Sequence, residues 1–222
     1  MNYVLDFGWL SQALEPIIRG AFATIFLTAV TGVLGIICSI LGASAARSRL
    51  PAVRRAIESY VELIRNTPFL VQLFFIFFGL PSLGLRLDAT VAAILAMTIN
   101  LSAYGTEIVG AGLDAVSHGQ REAGQALGLR QRHVFLKIVL PQALRVIFPA
   151  LTSQIVIMML ESAVVSQIAV QDLTYEADML QARTFRAFET YLVVTGVYLA
   201  LSIVLRRVMV AGGRKLLAGG IS

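Results

Sequence analysis

Long apolar runs alternate with short charged stretches along this chain. From Gly20 to Ala46 no residue is charged, which is long enough for one helix to cross a bilayer, since about 20 apolar residues span the hydrocarbon. The run ends at a basic loop holding Arg47, Arg49, Arg54 and Arg55. A second helical pattern starts near Ala56 with Glu58, Glu62 and Arg65 on one face, turns apolar through Phe74, Phe75, Phe77 and Phe78, and stops at Pro81. Two more uncharged runs start at Ala89 and Thr190, and a fourth span carries Glu161 inside it. The pattern predicts an all-α polytopic membrane protein: five transmembrane helices over residues 20–46, 56–80, 89–112, 146–170 and 190–211, in one domain covering 1–222.

The interval 113–145, between helices three and four, is basic and helix-patterned. Glu122, Ala123 and Gly124 open a short helix, Gly128 stops it in the left-handed conformation, and a second helical piece carries Ile138, Leu140 and Pro141. Small side chains at Ala123 and Ala126 let another surface approach, while Leu127, Leu129, Val134, Phe135 and Ile138 are expected to pack the element on its own domain. A helix, a bend and a helix of this kind fit a groove on another protein.

Composition agrees with a membrane location: of 222 residues, 57% are hydrophobic and 14% charged, too apolar for an ordinary soluble domain. The net charge of +5 does not point to nucleic acid, because the basic residues lie between apolar spans and are not gathered with stacking aromatics. They report topology. Arg47, Arg49, Arg54 and Arg55, then Arg121, Arg130, Arg132, Lys137 and Arg145, then Arg206, Arg207, Arg214 and Lys215 all fall on one side of the five crossings. The other side has Arg19, Arg86, Arg183 and Arg186. The excess predicts the N-terminus outside, and the C-terminus and the long loop in the cytoplasm. The first residues contain Asp6 and no basic residue, unlike a signal peptide, so the N-terminus is expected to be retained. The single cysteine, Cys38, leaves no internal disulfide and no cysteine metal cluster.

EAGQALG, followed by nine residues and IVLP, resembles the EAA loop of permease subunits of binding-protein-dependent ABC importers. Glu122, Ala123, Gly128, Ile138, Leu140 and Pro141 fall in its pattern; Gly124 stands where Ala is usual, a difference of roughly 1 kcal/mol in helix propensity. Glu62 to Pro81 and Arg183 to Val194 are similar to the polar amino acid subfamily, with Asn66 in place of a common Gly and Ala187 in place of a common Pro. The resemblance implies a bacterial inner-membrane permease of type I architecture, paired with a second permease, identical or homologous, and bound to two ATP-binding subunits through the loop. A periplasmic or extracellular solute-binding protein would deliver the cargo. It implies no cofactor on this chain, with ATP and Mg held on the partner ATPases, so the chain itself is not expected to be an enzyme.

Glu161 is the sharpest candidate for the pathway, because a carboxylate inside a span costs about 2.5 to 3.5 kcal/mol on insertion scales, taking Glu to behave as Asp does. It falls roughly 24 Å along the helix from Arg145, and Gln154 lies seven residues earlier on the same face. Glu161 either meets the ammonium or guanidinium group of a passing amino acid or pairs with a neighbouring helix or subunit. Asn100, near mid-depth on helix three, is the third pathway candidate. Glu107, near the cytoplasmic edge, is expected to pair with a basic loop residue, and Glu62 with Arg65. Thr67–Pro68 allows either a kink or a complete break in helix two. Gln171 to Phe188 reads either as a solvated connection or as a contact for the delivery protein. His118 and His133 are the only histidines, and neither a zinc-protease motif nor a phosphate-binding glycine loop occurs. The expected cargo is a cationic or zwitterionic amino acid, or a related solute such as an opine or a betaine-like compound. A non-transporting scaffold would explain the loop but not Glu161, Asn100 and Gln154.

Overall fold

The structure, a computed structural model, describes residues 4–218, with side chains to Arg214. No strand occurs among the described residues. The helices are α1 (Leu10–Ala45), α2 (Pro51–Arg65), α3 (Phe69–Ser82), α4 (Ala89–Asp114), α5 (His118–Ala126), α6 (Gln131–Ile168), α7 (Leu173–Thr184) and α8 (Ala187–Ala218). Among them α1, α4, α6 and α8 are long and apolar enough to cross a membrane, and the bent pair α2–α3 makes a fifth candidate span.

Close helix contact in lipid depends on small residues, because the surrounding tails remove any hydrophobic drive between helices. α1 and α4 follow that rule along their shared length. A Cβ on Gly35 would fall on the Leu101 side chain, and one on Gly42 or Gly105 would fall on the hydroxyls of Thr106 or Ser39. The α1 hydroxyls are satisfied locally: Thr28, Thr31 and Ser39 each donate to the carbonyl four residues back, at 2.7, 2.6 and 2.6 Å. Around this seam Leu27, Leu73, Met97, Leu101, Met158 and Val165 form the buried centre. The outward faces remain apolar, as at Phe22, Phe26, Val33 and Ile37 on α1, which suits contact with lipid or another subunit.

Helix two, expected over 56–80 with either a kink or a complete break at Thr67–Pro68, takes the second form. It is broken, with α2 and α3 meeting at 110°. Pro68 lacks an N–H and pushes Thr67 out of the helical region, so the ladder stops there. Carbonyls freed in a membrane need other donors. Asn66 Nδ2 donates to Glu62 O at 2.8 Å, Thr67 Oγ1 to Leu63 O at 2.9 Å, and Gln72 Nε2 to Ile64 O at 2.7 Å. α2 is amphipathic and has no buried residue; it leans on α4, where the Tyr60 hydroxyl donates to Ile99 O at 2.7 Å.

Two boundaries differ from the expectation. The piece bearing Ile138, Leu140 and Pro141 is not a separate helix but the start of α6, which runs on without a stop into span four. A π-turn at Phe135–Val139 precedes Pro141, widening the helix where proline has no N–H to contribute. α1 begins at Leu10, ahead of the predicted Gly20, so its first turns carry Glu15 and Arg19.

Candidate functional site

At one end of the bundle, α5 projects between α4 and α6. Gly124 is its one buried residue. A Cβ there would lie 2.8 Å from Ile138 Cδ1 and 3.0 Å from Val134 Cγ2, so the departure from Ala seats α5 more closely on α6. Arg121 Nη2 donates to Leu113 O at 2.8 Å and fixes α5 to the end of α4. Beneath it Val116, Val134, Val139 and Ala143 form a small separate core. Glu122 and Ala123 face outward, Glu122 beside His118 at 3.0 Å. The expectation that Leu127, Leu129 and Phe135 pack inward does not hold: they are 81, 40 and 44% exposed. Only Val134 and Ile138 of that set turn to the domain. Ile138, Leu140 and Pro141 lie half-buried along the first turns of α6. Gly128 has φ +76°, with Gly128 N donating to Gln125 O and Leu129 N to Gly124 O at 2.9 and 3.2 Å, the two bonds of a Schellman stop.

Beside this element a cleft of about 630 Å³ separates α2 from α4. Arg65 pairs here with Glu107, its guanidinium 5.4 Å from the Tyr104 ring centre. Both expected pairings are therefore replaced: Glu107 bonds a helix-two residue instead of a loop residue, and Arg65 reaches across to α4 instead of back to Glu62. The reason is the break, which turns the end of α2 toward α4. Arg47 closes the same region through Asp114 at 2.7 Å and Gly110 O at 2.7 Å.

Among the described residues no hydrogen bond or ion pair joins the three pathway candidates to one another. Glu161 and Gln154 are half-buried on α6, and among the described residues neither has a hydrogen-bonding or ionic partner. Asn100 is 4% exposed, and its Nδ2 donates to Gln72 Oε1 at 3.1 Å. Gln72, which sequence reasoning passed over, is a lone amide in a run of phenylalanines.

At the opposite end, Gln171 to Phe188 is no solvated connection. It holds α7, packed on α1 and α8, with Asp172 and Glu176 buried. Gly20 makes room for it, since a Cβ there would lie 2.8 Å from Leu173 Cα and 2.9 Å from Asp172 O. Arg19 donates from Nε and Nη2 to Glu176 Oε1 at 3.1 and 2.7 Å. Asp172 caps α7 by accepting from Tyr175 N at 2.9 Å, and Tyr198 Oη donates to it at 3.2 Å. Burial outweighs these bonds and raises the Asp172 carboxyl to about 6. A native pKa above the unfolded one means that the folded protein holds the proton more tightly, so the contribution to stability is full below the ordinary carboxylate value and lost as pH rises through 6. The detergent-solubilised protein is accordingly expected to melt higher at pH 5 than at pH 7. Asp172→Asn, which preserves the cap, is expected to melt at least as high as wild type at pH 7 and to flatten that difference. A lower melting point than wild type at pH 7 would show that the charge is needed.

Residues 35–217 match the family model described as the binding-protein-dependent transport system inner membrane component. The chain belongs to that family. It is 33% identical over 203 residues to the probable glutamine ABC transporter permease protein GlnM of Bacillus subtilis (strain 168), covering 91% of this chain and 92% of that one. It is 31% identical over 213 residues to the arginine transport system permease protein ArtQ of the same organism, covering 96 and 97%. Its fold superposes on a crystal structure of an amino acid ABC transporter with histidines with a TM-score of 0.88 at 34% identity, covering 96% of this chain and 100% of that chain. The resemblance carried by EAGQALG and IVLP thus holds. The chain is the permease component of an ABC importer, a multi-pass inner-membrane protein that works with ATPase and binding-protein components and is not itself catalytic.

Proposed function

We propose that this permease passes a polar amino acid bearing a cationic group, either a basic side chain or the ammonium of a zwitterion. The observation that carries this reading is Glu161, a carboxylate inside span four with no partner among the described residues. An unneutralised charge at such depth calls for a cation, and the cargo supplies one. The names of the relatives, glutamine and arginine permeases, support the same class. Gln154, on the same face of α6, and Asn100 on α4 extend the polar lining.

In the proposed assembly two permeases, of one or two kinds, face each other, and two separate ATPase subunits hold ATP and Mg. Each ATPase receives α5 through the exposed Glu122 and Ala123, with Gly124, Gly128, Ile138, Leu140 and Pro141 setting the element's shape. The distribution of basic residues supports a cytoplasmic α5 and C-terminus, and an outer N-terminus; α7 then lies on the side where a binding protein docks. Closure of the ATPases on ATP moves α5 and rocks the spans between outward and inward access.

Proteoliposomes holding the assembled transporter test the cargo directly. With the binding protein outside and ATP inside, arginine or glutamine is expected to accumulate well ahead of glutamate. Preference for glutamate would overturn the reading of Glu161.

A further inference from the structure

Gln72 is the lone amide between Phe69 and Phe78, and its position fixes the chemistry of a neighbour. Nε2 lies 2.7 Å from Ile64 O, 3.0 Å from Thr67 O and 2.9 Å from Thr67 Oγ1. Two of these are backbone carbonyls, which only accept, so the end of Gln72 that faces them is its NH2 group. Its oxygen therefore points the other way, 3.1 Å from the Asn100 amide. An amide oxygen can only accept, so Asn100 turns its NH2 end to Gln72. Asn100 Oδ1 is left on the far side, buried and without a donor among the described residues. The polarity of the whole relay originates in the broken helix.

We infer that Gln72 is a positioning residue for transport: by holding the NH2 end of Asn100, it presents Asn100 Oδ1 as a receptor for a hydrogen-bond donor and not for a carboxylate. The occupant is the side-chain guanidinium or ammonium of a basic cargo, the group that arginine has and glutamate lacks, and the inference rests on the reading of that cargo given above. A free Asn can swap its two ends by rotating about its side chain, offering NH2 to an anion as readily as oxygen to a cation. Tethered to Gln72, it cannot. An unmatched acceptor inside a membrane protein is unfavourable, and a donor passing through relieves it as the spans move and uncover the site.

The test is the ratio of kcat/KM for arginine over glutamate, measured in proteoliposomes with the complete transporter. Gln72→Met frees Asn100 and is expected to lower the ratio by about tenfold, the scale of one hydrogen bond to a charged group. Gln72→Glu still accepts from Asn100 Nδ2 and is expected to keep the ratio within about twofold even where the rates fall. A purely structural role would change rates and leave the ratio alone, so an unchanged ratio in Gln72→Met overturns the inference. Should that variant not assemble, Asn100→Leu decides: it removes the acceptor that Gln72 is inferred to present and is expected to lower the ratio similarly, and an unchanged ratio overturns the inference. Wild-type transporter that takes up neither arginine nor any other cationic or zwitterionic amino acid defeats the cargo reading and this inference together. Intact arginine uptake with an unmoved ratio defeats the positioning role alone.

Discussion

Glu161→Gln is expected to raise KM for a basic amino acid by roughly 10- to 100-fold while leaving the solubilised protein at least as stable as wild type. The two halves of this result come from one observation. Glu161 is half-buried at the end of the α-helical part of α6, just before the helix tightens at Ser162–Ile168, and no described residue neutralises it. Removing its charge therefore takes away no ion pair among the described residues, and relieves part of the cost of holding a charge within a span. What it does take away is a charge-assisted bond to the cargo, worth about 1.5 to 3 kcal/mol net, at about 1.4 kcal/mol per tenfold. A carboxylate that served to hold two permeases together would behave in the opposite way, with lower stability of the complex and little change in KM. Initial uptake rates across a range of arginine concentrations, alongside melting of the assembled transporter, separate the two. A drop in melting point with KM unchanged would remove Glu161 from the pathway.

The spans were legible wherever membrane contact is local. Uncharged runs announce α1, α4 and α8, and the apolar residues on either side of Glu161 announce α6, because a membrane-crossing helix needs apolar residues along most of its length. The missed start of α1 has a physical origin: Arg19 breaks the apolar run, but its charge is met by Glu176 on α7, far away in sequence. The same long-range pairing hid α7, whose Asp172 and Glu176 read as solvated charges until the helix folds them against Tyr198 and Arg19. Thr67–Pro68 signalled an interruption in helix two, but not its 110° angle, at which Arg65 meets Glu107 and Gln72 meets Asn100. No periodicity encodes either contact.

Site residues divide along a similar line. The positions of the α5 element stood out as a motif, and Gly128 as a left-handed stop, because backbone geometry is written in residue type. The facing of the element was not, since Gly124 inside and Leu127 outside reverse what hydrophobicity alone suggests. An exposed leucine at that point fits the proposal that another protein covers it. Gln72 did leave a signal: one amide four residues after a helix-breaking proline, in a chain whose freed carbonyls cannot turn to water. Read as a donor in search of those carbonyls, it is legible.

The turn at Gly128 yields the other large effect. Gly128→Val is expected to leave ATP hydrolysis by the assembled transporter running while uptake falls by an order of magnitude or more, and Gly128→Asn is expected to restore most of it. A Cβ at this position meets nothing within 4 Å, so bulk is not what the site rejects. The constraint is φ +76°, where a β-branched residue is strained by about 1 to 2 kcal/mol and Asn is tolerated. Valine relieves that strain by opening the turn, which breaks the bonds from Gly128 N and Leu129 N to the end of α5. The helix then tilts away from Val134 and Ile138, against which Gly124 is seated. In the proposed assembly α5 is the part gripped by the ATPase, and a tilted lever lets the motor turn over without moving the spans. Parallel measurement of phosphate release and amino acid uptake tests this. Equal loss of both would indicate failure to bind the ATPase, and full coupling in the valine variant would show that force does not pass through this turn.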